Sequence, residues 1–281
     1  MNELPIYRLG NHQSLPTRPT DRDPRGILWL WELPNDGARY IIGCDPTVGI
    51  PGWTRHTRSG SDHKTDNAAI EVIRVGSHGR PDVQVAEYAA PVAPIELAPI
   101  LNHIGRLFKG DNEEGEAHVI IEIYPGPGLM LQQELMTKYQ YTNLYQHRYL
   151  NVMGAPTKNN LTYGWTANRQ TVDILWTVGL HAVNNDKVAV KSPWLIDEMA
   201  NCVRGQRGDG TITLQAAFGN HDDRIRAFLL ALWAARDWSG VFSDEIGSVE
   251  QVNAPNAQAT DMSAADMYND WNARFSDLLD E

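Results

Sequence analysis

Along this chain the spacing of apolar residues switches between a period near two and one near three and a half, which predicts strands alternating with helices. Residues Asn2 to Gly26 hold four prolines and no sustained periodicity, and they read as an extended arm or linker. Ile27 to Leu33 is a compact apolar run of strand character. The turn Pro34-Asn35-Asp36-Gly37 follows it, and a second strand, Tyr40 to Cys44, ends in Asp45-Pro46. After a Gly/Ser/His-rich loop, Ala68 to Val75 and Val83 to Tyr88 form a predicted antiparallel hairpin around Gly76-Ser77-His78-Gly79.

Helical spacing begins at Pro94, which is tolerated at a first helical turn, and carries Leu97, Leu101, Ile104 and Phe108 along one face. His118 to Ile123 is almost wholly apolar and suits a buried central strand. Leu129 to Tyr139 then predicts a helix, Asn143 to Tyr149 a strand, and Asn151 to Trp165 a polar excursion. Helices are expected over Asn168 to Val183, Pro193 to Val203 and Asp222 to Trp238, with a strand from Thr211 to Ala217. Three successive strands from Tyr40 onward, then a helix, a strand, a helix and a strand, make a mixed α/β class. The expected organisation is an arm over residues 1–26, one domain over 27–238 and an acidic tail over 239–281. In the tail, Met267, Trp271, Phe275, Leu278 and Leu279 share an apolar stripe.

Composition narrows the class. The longest apolar run, Ala227 to Ala235, is far too short to span a bilayer, so no membrane partner is expected. Cys44 and Cys202 have neither disulfide nor zinc spacing, which fits a reducing cytoplasm. The formal charge of −11 argues at first against a nucleic-acid partner. From Ser239 onward, however, there are nine acidic residues and one basic, leaving 26 acidic and 23 basic in the remainder. A nearly neutral body can carry a local basic groove.

Three acidic positions bear on chemistry. Asp45 ends an apolar strand, Glu122 lies inside another, and Asp222-Asp223 opens an apolar helix. A lone buried carboxylate costs several kcal/mol, roughly, so each needs compensation. Taken singly, Asp45 fits a strand-end turn, Glu122 could pair with a buried Arg or Lys, and the aspartate pair could cap its helix. Taken together they suit hard divalent cations held by oxygens from two strand ends and a helix, the arrangement that hydrolyses phosphodiesters. His221 is open between ligand, base and cap. Asp66 and Glu198 are candidate supporting acids, with a surface role as the alternative. Lys158, Arg169 and Lys191 could contact DNA phosphates.

The segments Tyr40-Ile41-Ile42-Gly43-Cys44-Asp45-Pro46, Asp66-Asn67-Ala68-Ala69-Ile70, Val119-Ile120-Ile121-Glu122-Ile123 and Gly219-Asn220-His221-Asp222-Asp223-Arg224 resemble the nuclease domain of tailed-bacteriophage terminase large subunits. Leu161-Thr162-Tyr163-Gly164-Trp165-Thr166 is similar to a Gly-Trp stretch of that family. The resemblance implies a ribonuclease-H-like mixed sheet flanked by helices. It also implies catalytic Asp45, Glu122 and Asp222, with Asp223 joining them as metal ligand, and two Mg2+ or Mn2+ ions. The implied activity is cutting of concatemeric viral DNA in the cytoplasm of the infected host. Implied partners are double-stranded DNA, a packaging ATPase motor, the small terminase subunit and the portal. Asp45 would bridge the two ions, with Asp222 favoured over Asp223. The chain departs from the pattern at Tyr124, where the family often has Asn, and it contains no Gly-x4-Gly-Lys-Ser/Thr phosphate loop. Another ribonuclease-H-like nuclease, such as a junction resolvase, and a non-catalytic packaging module are the alternatives.

Overall fold

A computed structural model describes residues 6–9, 27–48, 67–77, 79–123, 126–150, 156–167, 169–206, 212–217 and 221–236. The expected tail helix, Asp66 and Tyr124 lie outside them. The main sheet is built from β1 (Ile6–Leu9), β2 (Ile27–Leu30), β3 (Tyr40–Asp45), β4 (Ala68–Arg74), β5 (Asp82–Ala90) and β6 (His118–Ile121). Their spatial order is β1-β2-β5-β4-β3-β6, with β9 (Val188–Ala189) beside β5. β3, β4 and β5 pair antiparallel, whereas β6 joins β3 in parallel after a crossover through α1 (Pro94–Leu107). The mixed α/β class therefore holds. Within the expected N-terminal arm, Ile6–Leu9 adds a parallel edge strand to β2. Its apolar-polar alternation is too short to stand out among the flanking prolines.

The two faces of the sheet carry different cores. Ile42, Cys44, Ile70, Val72, Val119 and Ile121 face α1 and α2 (Pro127–Lys138). Ile41, Ile73 and Ile120 face the opposite layer of α3 (Arg169–Asn184), α4 (Pro193–Ala200) and α5 (Asp223–Ala235). Strand alternation then puts Gly43 and Asp45 on the α5 side with Ile41, and Glu122 there with Ile120.

Nine of the thirteen residues of helix α5 are Ala, Leu or Arg, which are good helix formers, and every residue but Arg226 is buried. A helix apolar on nearly all sides belongs between layers, and α5 lies between β3, β4 and β6 on one side and α3 on the other. Its approach to the sheet is set by Gly43, where a Cβ would stand 1.9 Å from the Ala227 carbonyl oxygen. At the start of α2, a Cβ on Gly128 would meet the Glu122 carbonyl oxygen at 1.8 Å, so the strand end bearing Glu122 is hemmed in by backbone.

The polar excursion expected between Asn151 and Trp165 is corrected in part: Pro156–Tyr163 is strand β8, paired antiparallel with β7 (Gln146–Leu150). The segment Pro-Thr-Lys-Asn-Asn-Leu-Thr-Tyr lacks apolar alternation, so its strand form shows in the backbone pairing and not in the sequence pattern. The helix expected over Pro193 to Val203 also ends early. Asn201 closes it, and β10 (Cys202–Gln206) turns back to pair antiparallel with β11 (Ile212–Ala216).

Candidate active site

Asp45 and Glu122 meet one position beyond the last paired residues of β3 and β6, Cys44 and Ile121. The Glu122 N–H donates to the Cys44 carbonyl at 3.0 Å, so these strand ends are held in register. Both acids are buried, at 2% and 4% exposure, which is where an uncompensated charge is most costly. Burial, reinforced by Asp45 and then Glu122, pushes the neighbouring Cys44 thiol well up, so it stays protonated and inert.

Helix α5 brings the third acid. Asp222 is its N-cap residue but makes no side-chain capping bond; Asp223 opens the first turn. Asp223 Oδ2 accepts the Asn67 N–H at 2.9 Å and lies 3.5 Å from His221 Nδ1, which ties it to the start of β4. Asp222 Oδ2 instead lies 3.5 Å from Arg226 Nε, one turn along the helix. His221 therefore stands beside Asp223, as an orienting group would.

Arg226 is the residue that sequence reasoning missed. Its Nη1 donates to Glu122 Oε1 at 3.0 Å and Oε2 at 2.9 Å. Burial opposes its charge, but Glu122, Asp45 and Asp222 outweigh that and raise its pKa further, so the guanidinium is the cation these three acids share. Glu122 is thus paired with an arginine, as in one of the two alternatives for that residue, but Arg226 is only part-buried. The signal was an arginine in the first turns of an otherwise apolar helix.

Two residues from Arg226, and therefore about 200° around the helix, Arg224 points toward the β5 side. Its Nε donates to Glu87 at 2.9 Å and its Nη1 to Glu198 at 2.7 Å. Glu198 also accepts the Arg224 N–H at 3.0 Å, so an acid on α4 caps the first turn of α5 from outside. Glu198 is buried, not on the surface. Glu71 and Glu87 face each other across β4 and β5, and Gln84 Nε2 donates to Glu71 at 2.6 Å.

Lys191 precedes α4, where its backbone N–H and that of Ser192 donate to Gln84 Oε1. Lys158 lies on β8 and Arg169 opens α3, and both side chains are outside the described residues.

The donor set of Asp45, Glu122, Asp222 and Asp223 is oxygen alone, the chemistry that hard divalent cations prefer. Its buried negative charge already draws in one cation, Arg226, so the residues fit such an ion in charge and donor type. Among the described residues, however, no three His, Cys, Asp or Glu side chains stand close enough to hold a metal ion together.

The order β5-β4-β3-β6, with a helix crossing β3 and acids at two adjacent strand ends, invites comparison with solved nucleases. Two crystal structures of the large terminase nuclease from thermophilic phage G20c, one with bound magnesium and one with bound cobalt, match this chain. Their TM-scores are 0.51 and 0.52 at 13% and 14% identity, covering 75% of this chain and 89% of theirs. The chain has the large-terminase nuclease fold. No family model and no curated protein matches the sequence. In this fold Asp45 and Glu122 end β3 and β6 on the α5 face of the sheet, and Asp222 and Asp223 stand at the start of α5. Among the described residues no helix is long and apolar enough to cross a membrane.

Proposed function

We propose that this chain is a divalent-metal-dependent DNA endonuclease that cuts concatemeric viral DNA during genome packaging. The observation that carries the reading is the alignment of buried Asp45 and Glu122 at adjacent strand ends, with Asp222 linked to Glu122 through Arg226. A buried anionic cluster of this kind is costly to fold and is retained where a cation uses it.

Asp45 and Glu122 would hold one Mg2+ or Mn2+, and Asp45 with Asp222, assisted by Asp223, a second. Bound there, such ions supply an activated water and stabilise the leaving oxygen of a phosphodiester. The protein's part is to fix the carboxylates: β3 and β6 by register, Asp223 by the Asn67 N–H, and the start of α5 by Glu198. Double-stranded DNA is the substrate of this reading, and a packaging motor, small terminase subunit and portal are its partners, in the host cytoplasm. With no phosphate loop in the sequence, cleavage should need no ATP.

The test is nicking of supercoiled plasmid by the purified chain with Mn2+ or Mg2+. Asp45→Asn, Glu122→Gln and Asp222→Asn should each lose at least a hundredfold in rate while remaining folded, since each removes charge with little volume. Wild-type rates in Asp45→Asn would sink the metal-nuclease reading. Loss in Asp223→Asn with Asp222→Asn active would reverse the roles of the two aspartates. Preference for a four-way junction over linear duplex would point to a resolvase instead.

A further inference from the structure

We infer that Arg226 is a built-in counter-cation of the acid cluster, which a divalent metal must displace from Glu122 before that carboxylate can act as a ligand. The inference rests on the metal-nuclease reading and adds to it a competition within the chain itself.

The geometry is direct. One nitrogen, Nη1, lies within 3.0 Å of both Glu122 oxygens, while Nε of the same guanidinium lies 3.5 Å from Asp222. Arg226 thus stands between the strand-end acid and the helix-cap acid. The Glu122 oxygens turned toward it are the ones a metal shared with Asp45 or Asp222 would need. A guanidinium and a divalent ion at these distances would also repel each other strongly. Both Glu122 oxygens accept from Nη1, so an ion chelated by this carboxylate would take the position that the nitrogen now holds.

Arg226 is the one residue of Asp223–Ala235 that is not buried. Together with Glu122 it lines a small cleft walled by Ala167, Val172, Trp176 and Leu229. Apolar walls suit the arginine's methylene stem while its head reaches water. In the metal-free chain Arg226 offsets repulsion among Asp45, Glu122 and Asp222, so the acids can be folded together before any metal arrives. The consequence is a threshold: metal loads the site only at a concentration high enough to expel the guanidinium.

Two measurements on the full chain without DNA test this. Calorimetric titration with magnesium alone should give Arg226→Gln at least tenfold tighter binding than wild type, with Arg226→Lys in between, because a lysine keeps the charge but not the forked contact. In wild type, the guanidinium N–H resonances absent from Arg226→Lys spectra should shift or broaden at saturating magnesium. Equal or weaker binding by Arg226→Gln overturns the competition. Unmoved Arg226 resonances in magnesium-saturated wild type do the same and need no folded Gln variant. Failure of wild type, Arg226→Gln and Arg226→Lys alike to bind magnesium would bring down the metal reading and the competition together. Binding with Arg226 unmoved would bring down the competition alone.

Discussion

Glu71 and Glu87 are directly opposed across β4 and β5 and both are fully buried, yet one guanidinium, Arg224, serves Glu87 and Glu198 together. There is too little positive charge for every acid to be ionised. Burial, and after it the facing Glu87, pushes the Glu71 carboxyl well above the usual range, which favours its neutral form. Glu71→Gln should therefore leave unfolding free energy at neutral pH within about 1 kcal/mol of wild type, since it replaces one neutral hydrogen-bonding group by another. Glu87→Gln takes a partner from a buried arginine and should cost roughly 2–4 kcal/mol, less than a fully broken buried pair because Glu198 stays. Urea denaturation of the two variants checks the contrast, and equal losses would mean that Glu71 is the charged member. At this scale the sequence announces Asp45 and Glu122, because a charge at the end of, or inside, an apolar run stands out. It conceals their compensation. Arg224 and Arg226 are two residues apart in one helix and serve different acid clusters, which depends on the helix face each occupies.

At the scale of elements, the site depends on how closely α5 approaches β3. The space at Gly43 is filled by the backbone of Ala227 and Ala231, where no side chain can give way. Gly43→Ala must push α5 outward, and overpacking of this kind costs roughly 1–3 kcal/mol or more. The displaced helix carries Asp222 and Asp223 away from Asp45, so plasmid cleavage should fall by more than tenfold at temperatures where the variant is still folded. Circular dichroism reports whether the variant is folded, and a gel assay reports nicking. A folded Gly43→Ala protein cleaving at the wild-type rate would show that the close approach is not needed by the site. Elements with a strong buried face were legible in advance: the β4–β5 hairpin, α1 and the apolar α5 all stand where their periodicity puts them. β8 was not, because its sequence has no apolar face and its strand form comes from pairing with β7. β9 was missed because this two-residue strand depends on a distant partner, β5, and β10 because its residues run on directly from the apolar helix α4 before pairing with β11.

For the molecule as a whole, the buried acids make stability depend on pH in an uncommon direction. Burial pushes Glu198 up to about 8, with Arg224 only partly offsetting it and Asp223 adding to it. Burial likewise pushes Asp82 up to about 6, against the Gly76 N–H that its Oδ1 accepts at 2.7 Å and the nearby Arg74. A carboxyl whose folded pKa lies above its unfolded one binds protons more tightly in the native state, so stability falls as pH rises between the two values. For Asp82 that window runs from its ordinary value of 3.8 to about 6, and for Glu198 from 4.5 to about 8. The metal-free protein should then melt at a lower temperature near pH 8.5 than near pH 6, the two acids together contributing on the order of a few kcal/mol. Asp82→Asn should flatten the slope below about pH 6 and Glu198→Gln the slope above it, because neither amide titrates. Thermal melts in matched ionic strength with a chelator present measure this. A melting temperature that rises from pH 6 to 8.5 in wild type, or a slope unchanged by Glu198→Gln, would place the missing charge compensation on some other group.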